Sequence, residues 1–355
     1  MASISHMKKY LSAAICLFIL FSCKEKIESI TDYFKTEKNI HNTVIELEDE
    51  SQYSRVWKLY CFDNKLVAYD VDHSYLFSIT DLNKKEIVTK FGKIGQGPDE
   101  ILGTVTSTSM FSKNAFSFFE PNKSVLYMVN FEDITSPVQT EVLSVKGIDV
   151  IMTLTPLSSN LFIATGIFER GRYLLLDKTA KVISYNFDYP TLPNEGTFTH
   201  AHKAMAFQGD LGVRPDGERF FSACEDNEVF EIIEITSQNE LNMIFKFHGE
   251  LGDYKSDGDG INSISAAISK FSKTKFIDSY CTQNYIYLLY SNRAIENKIN
   301  NPYLADRVLV FDWDGKPVKI LNLDAEVNSI AVDEIDQYLY AYCEDIEQII
   351  RFDLK

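Results

Sequence analysis

The chain has 355 residues, of which 45% are hydrophobic and 13% aromatic, enough apolar material for a large buried core. Fifty-one acidic against 35 basic residues give a formal net charge of −16. That balance excludes nucleic acid and anionic lipid as electrostatic partners, because both require a basic surface.

The chain opens with "MASISHMKKYLSAAICLFILFSC". Lys8 and Lys9 follow Met7, and a mostly apolar run covers Leu11 to Leu20, a basic region and an apolar region too short to span a bilayer as a helix. Residues 1–22 therefore read as a secretory signal, with residues 1–6 an upstream start or tag remnant and Met7 the functional start. Leu20-Phe21-Ser22-Cys23 resembles the lipobox of bacterial lipoproteins, although Phe21 is larger than usual for its position. The resemblance implies that Cys23 becomes the mature N-terminus and carries diacylglycerol on its thiol and an acyl chain on its amine, an anchor of the stable kind. The alternative is an ordinary cleaved signal with a chance cysteine. Lys24, where Asp commonly marks inner-membrane retention, implies the outer membrane, periplasmic or surface-exposed. Removing residues 1–22 takes Lys8 and Lys9 from the 35 basic residues and no acid, which leaves 33 against 51. Residues 23–41 are charged and poor in large aliphatics, and read as a lipidated, solvated tether in which Lys24–Thr36 contributes little to stability.

From Asn42 the texture changes to dense Phe, Tyr, Ile, Leu and Val in short alternating runs, separated by Asp, Asn, Gly, Lys and Ser turns, which predicts an all-β chain. One unit recurs, an apolar strand, a polar turn and another apolar strand. It starts at Leu66, Phe116, Phe162, Phe221, Tyr287 and Tyr340, six copies 46 to 66 residues apart. An apolar run precedes each copy ("VWKLYCF", "VTSTSMF", "IMTLTPL", "GDLGVRP", "FIDSYCT", "VNSIAVD") and another follows most of them. Four strands per unit at this spacing predict β-propeller blades, which bury their faces only by stacking round a ring. The sixth unit runs out after three strands, and "NTVIELE" (Asn42–Glu48) is free to supply the fourth. The expected fold is a six-bladed β-propeller over residues 42–355, closed by the N-terminal strand. The "GKIGQGPDE" corner, the "VFDWDGKPVKILNLD" hairpin and the lipobox resemble the TolB-like six-bladed propeller lipoproteins, relatives of NHL-repeat propellers. The resemblance implies a fold and brings no catalytic residues with it.

Within "GKIGQGPDE" (Gly92–Glu100), Gly95-Gln96-Gly97 lacks the third glycine of a dinucleotide fingerprint and the Lys-Ser/Thr of a phosphate loop, so it reads as a corner between blades whose glycines supply positive φ. His200 and His202 in "FTHAHKA" have a spacing that puts two imidazoles on one side of a strand, and they are the metal candidates weighed against a solvated loop. "SDGDG" (Ser256–Gly260) fails the calcium-loop register and reads as a turn. Cys61, Cys224, Cys281 and Cys343 sit scattered in apolar runs and read as buried single thiols. No GxSxG, HExxH or CxxC occurs.

No cofactor is expected. The favoured function is a non-enzymatic envelope binding or scaffold module for a protein, peptide or glycan; the alternative is a metal-dependent propeller hydrolase, lyase or lactonase with its site in the axial channel. Parity places the connections between first and second and between third and fourth strands at one end of the ring. These are short, and the long segments Gly92–Gly103, Tyr189–Gly209, His248–Lys275 and Asn292–Ala305 fall together on the other rim. Long loops on a rigid scaffold concentrate binding, so the partner is expected on that rim, across blades four and five and the channel mouth. "INSISAAISKFS" (Ile261–Ser272) within it is expected to form a short helix.

Overall fold

Period-two alternation with β-branched and aromatic residues produces strands almost throughout. The structure, a computed structural model, describes residues 29–47, 53–71, 74–97, 99–193, 196, 198–258, 264–296 and 299–355. Cys23 and the signal lie outside these, as does Glu48 at the end of the closing segment.

A 3-10 turn (Ile30–Tyr33) leads into β1 (Glu37–Ile40) and β2 (Asn42–Val44). Blade one follows as β3 (Val56–Phe62), β4 (Lys65–Asp70), β5 (Tyr75–Asp81) and β6 (Glu86–Lys93). Blade two is β7 (Ser107–Ser112), β8 (Ala115–Glu120), β9 (Val125–Asn130) and β10 (Val138–Ser144). Blade three is β11 (Val150–Pro156), β12 (Leu161–Ile167), β13 (Tyr173–Asp177) and β14 (Val182–Asn186). Helix α1 (His200–Ala206) precedes blade four, β15 (Gly209–Val213), β16 (Arg219–Cys224), β17 (Val229–Ile235) and β18 (Leu241–His248). A separate hairpin, β19 (Tyr254–Asp257) and β20 (Ser265–Ile268), stands between blades four and five. Blade five is β21 (Lys273–Cys281), β22 (Tyr285–Ala294), β23 (Ala305–Asp312) and β24 (Pro317–Val327); blade six is β25 (Ser329–Val332), β26 (Tyr338–Cys343) and β27 (Gln348–Asp353).

Each blade is an antiparallel meander of consecutive strands. Blade six takes its fourth strand from the other end of the chain: β2 pairs antiparallel with β27, Asn42 opposite Phe352 and Val44 opposite Ile350, and Ile45 N–H donates to the Ile349 carbonyl at 2.9 Å. Closure by the N-terminal strand is thus real. β1 adds itself parallel to β24 as a fifth strand of blade five, Glu37 opposite Ile320 and Ile40 opposite Leu323. The chain therefore ties two neighbouring blades before the ring begins.

Each interface between neighbouring blades holds its own apolar core. Phe77, Phe116 and Phe118 fill the wedge between blades one and two; Phe221, Phe230 and Phe311 fill that between blades four and five. A further cluster, with Tyr189, Leu192, Phe207 and Tyr254, lies under α1 and the β19–β20 hairpin. The expected helix at Ile261–Ser272 does not form where residues are described. Ala266 and Ile268 of β20 pack under α1, and Ile268 pairs with Tyr254, so strand alternation prevails there. The helix forms instead at His200–Ala206, where Thr199 Oγ1 caps His202 N–H at 3.3 Å ahead of an Ala-, Lys- and Met-bearing run.

The segment expected as a solvated tether docks on the ring from residue 29 onward, through a few side chains. Ile30 is fully buried among Phe221, Phe230 and Phe276, Phe34 stands edge-on to Phe311 at 4.9 Å, and Tyr33 does so to Phe247 at 5.5 Å. Sparse aliphatics were misleading because aromatic residues and one isoleucine suffice to dock so short a piece. Ile30→Ala should cost about 2–5 kcal/mol. A thermal unfolding midpoint lowered by several degrees is the expected result, whereas a midpoint equal to wild type would return this segment to solvent.

Candidate functional site

The first strand of every blade lines the ring axis, and the polar residues on these strands meet there. Lys58 of β3 points its ammonium between Asp210 of β15, 2.6 Å away, and Asp278 of β21. Ser279 Oγ donates to Asp210 Oδ2 at 2.6 Å, and the Ile330 N–H of β25 donates to Asp278 Oδ2 at 2.6 Å. Blades one, four, five and six are thereby joined at the axis.

The electrostatics of this knot follow from burial. Asp278 is 3% exposed and its carboxyl is pushed up to about 7, first by burial and then by the charge of Asp210, against the pull of Lys58. Burial works against the Lys58 ammonium, but Asp210 and Asp278 outweigh it and hold the group above its usual range. The Tyr60 hydroxyl donates to the Thr108 carbonyl at 2.6 Å.

A cavity of about 640 Å³ runs along the axis from this knot. Its lining runs from Trp57, Lys58 and Thr106, on the side of the long connections, to Lys113, Pro215, Gln283 and Glu334 in the first turns of four blades. The cavity therefore reaches the short-turn end. A second cavity, of about 250 Å³, lies toward the long-loop end among Arg172, Tyr189, Gln208 and Glu225; Thr106, Thr153, Gly209 and Asp210 border both. Asp210 of the knot thus borders both cavities.

Next to the smaller chamber, Arg172 is buried between blades three and four. Its Nη1 donates to Glu231 Oε2 at 2.7 Å, which also accepts the Tyr173 hydroxyl at 2.6 Å, while His248 Nε2 meets Glu231 Oε1 at 2.7 Å. Burial raises the Glu231 carboxyl, but Arg172, His248 and Tyr173 together bring it down to about 2. Every acceptor atom is used internally, so this is a structural tie.

The candidates read from sequence come out differently. His200 and His202 lie on α1 and not on a strand. His202 Nδ1 meets Thr199 Oγ1 at 2.7 Å and its Nε2 meets the Asp257 carbonyl at 3.2 Å, while His200 packs edge-on against Tyr189. Their nitrogens have different surroundings, and among the described residues neither histidine belongs to a group of three possible metal ligands. Cys61, Cys224, Cys281 and Cys343 are free thiols, three of them buried. In "GKIGQGPDE", Gly92 has φ +69°, as a corner requires, but Gly95 and Gly97 serve another purpose. A Cβ on Gly95 would stand 2.0 Å from the Glu100 carboxylate, which accepts Gly97 N–H at 2.8 Å and pairs with Lys93 at 2.6 Å. The loop cradles an anion after all, and the anion is its own glutamate.

Sequence reasoning missed Lys58, Asp210 and Asp278. A signal was present: each is a charge near the start of an apolar first-strand run, in "VWKLYCF", "GDLGVRP" and "FIDSYCT". By the parity of the observed meanders the four long segments connect strands at one end of the ring, and the larger cavity reaches the turns at the other.

A model of the TolB-like 6-blade propeller-like family matches residues 25–335. No curated protein matches the sequence. Among solved structures, a DUF4221-family protein from Bacteroides vulgatus is similar with 11% identity and a TM-score of 0.56, covering 90% of this chain and 97% of that one. A protein described as exported from Bacteroides fragilis is similar with 12% identity and a TM-score of 0.55, covering 93% and 98%. At such identities the likeness is one of fold.

The knot has a pH consequence. The folded chain keeps the Asp278 proton up to about pH 7, whereas the unfolded chain releases it near its ordinary 3.8. The stability tied to that proton is present below the lower value and is lost as pH rises through the higher one. Asp278→Asn removes this dependence. Thermal scans should show the variant gaining several degrees on wild type between pH 4 and pH 7.5; a difference constant over that range would place the proton elsewhere.

Proposed function

We propose, from the premise that the chain belongs to the TolB-like six-blade propeller family, that it is an envelope lipoprotein which binds an uncharged ligand in its axial cavity and performs no covalent chemistry on it. The observation that carries this reading is the cavity of about 640 Å³ along the axis, lined by the turns of the short-turn face and, at the knot, by internally neutralised charges. A chamber of that size suits a small ligand or chain end. One ammonium faces two carboxylates, one of which retains its proton near neutrality, so the knot offers no net attraction to an anion.

The walls suit a molecule with both polar and apolar faces. Thr106, Thr108, Ser109 and Ser112 bring hydroxyls from the blade-two side, and Tyr60 and Tyr280 bring rings from blades one and five. Sugars present alternating hydroxyl edges and C–H faces, so a neutral glycan segment is the ligand class favoured over an extended protein surface. The metal-dependent alternative is less favoured for a stated reason: Lys58 occupies the position between Asp210 and Asp278 that a cation would take. The Ser279 hydroxyl is directed to a carboxylate already held by that ammonium, which leaves it without an available base. Export is supported by the signal and lipobox, and by a similar fold in a protein described as exported.

Two experiments test the two halves of this reading. In a glycan-array screen, Ser112→Trp at the short-turn end of the cavity should abolish binding, and Val142→Trp on the outer strand of the same blade should leave it intact; equal binding by both would move the site out of the cavity. Membrane fractionation should find the wild type with the membranes and Cys23→Ala in the soluble fraction. Equal solubility of the two would remove the anchor.

A further inference from the structure

The chain joins the propeller at a defined point. Glu228, buried in the connection between β16 and β17, accepts Ser29 Oγ at 3.1 Å, Ile30 N–H at 3.2 Å and the Tyr290 hydroxyl at 2.6 Å through Oε1. Connections between second and third strands belong to the long-loop rim, so the chain leaves the ring there. Cys23 precedes Ser29 by six residues, which at about 3.5 Å per extended residue places the lipid-bearing residue within about 20 Å of that rim.

The same sector of the rim exposes large apolar side chains. Phe271 is 73% exposed, Ile299 92% and Tyr303 49%. They come from two adjacent connections of blade five, joined by Ile295 N–H to the Ser272 carbonyl at 2.9 Å and Glu296 N–H to the Lys270 carbonyl at 2.8 Å. They are also contiguous with the point where the chain leaves. Glu250 N–H donates to Glu228 Oε2 at 3.2 Å, and the Glu250 carboxylate holds Lys273 and Lys275 at 3.1 and 2.7 Å, two and four residues from Phe271. Leu102 is exposed on the same rim at blade one.

We propose that this rim, led by Phe271, Ile299 and Tyr303, rests on the headgroup region of the bilayer that holds the Cys23 lipid, so that the short-turn face, with the cavity end lined by its turns, points away from the membrane. The inference rests on the lipidation reading. Aromatic and aliphatic residues are at home in the interface between headgroups and acyl chains. A lipid anchor a few residues away makes the contact intramolecular, so a small apolar patch is sufficient to set orientation. The surface is zwitterionic by charge complementarity. The chain is acidic overall, and Lys270, Lys273 and Lys275 are taken by Glu296 and Glu250.

The lipidated full-length chain, reconstituted in vesicles of phosphatidylethanolamine and brominated phosphatidylcholine, tests this. Bromine quenches tryptophan at the depth of the acyl chains. Phe271→Trp should add an emission that loses about half its intensity relative to unbrominated vesicles, while Gln283→Trp on the short-turn face should add an unquenched one. Wild-type spectra supply the background from Trp57 and Trp313. If the protein floats with the vesicles but position 271 is unquenched, or position 283 is quenched, the orientation is wrong although the anchor stands. If the protein does not float, the lipidation reading fails and the orientation with it.

Discussion

Three residues decide whether six blades make a ring. Without β2 on β27, blade six would present the backbone groups of Gln348–Asp353 as an open edge, and the last blade would be held by one neighbour and its own turn. Because β2 and β1 are separated only by His41, closing blade six also fixes β1 against blade five. His41 itself meets Asp324 at 3.0 Å, and Asp324 accepts Asn42 N–H at 3.0 Å, which pins the step between the two blades. The rest of the propeller depends on this closure, since every apolar wedge needs a blade on both sides.

A second constraint acts at the axis, where first strands converge and apolar filling thins out. Lys58, Asp210 and Asp278 come from three different blades and compensate one another at the axis. Buried ion pairs contribute less to stability than their geometry suggests, because desolvation offsets the attraction. Here the consequence is spatial: Asp210 borders both cavities, and the large one reaches the turns of the short-turn face, while Arg172, Tyr189 and Gln208 line the small one. Binding in the large chamber and anchoring at the opposite rim are then compatible, since neither needs the surface the other uses.

The long loops illustrate why length and function should be separated. Tyr189–Gly209 and His248–Lys275 spend much of their length on α1, β19 and β20, which cover the apolar residues Tyr189, Leu192, Phe207 and Tyr254. Their first role is to cover blade four. What remains exposed in blade five is apolar and close to the start of the ring, which is a different kind of surface from the polar, turn-rich end of the cavity.

The amino-acid sequence by itself determined the strand count per blade, the six-fold repeat and the need for a closing strand, because period-two alternation and Asp-Gly or Asn-rich turns are local and recur along the chain. It also determined which rim holds the long connections, since parity in a meander admits one answer. It did not reveal that Ile30 docks between blades four and five, that His200 and His202 lie on a helix, or that Gly95 makes room for Glu100. Each of these depends on what lies across a gap in space. The axial site is the extreme case: Lys58, Asp210 and Asp278 are separated by 152 and 220 residues in their hydrogen-bonded pairs. Only the closed ring, by bringing the first strands of blades one, four and five to one axis, decides that they meet.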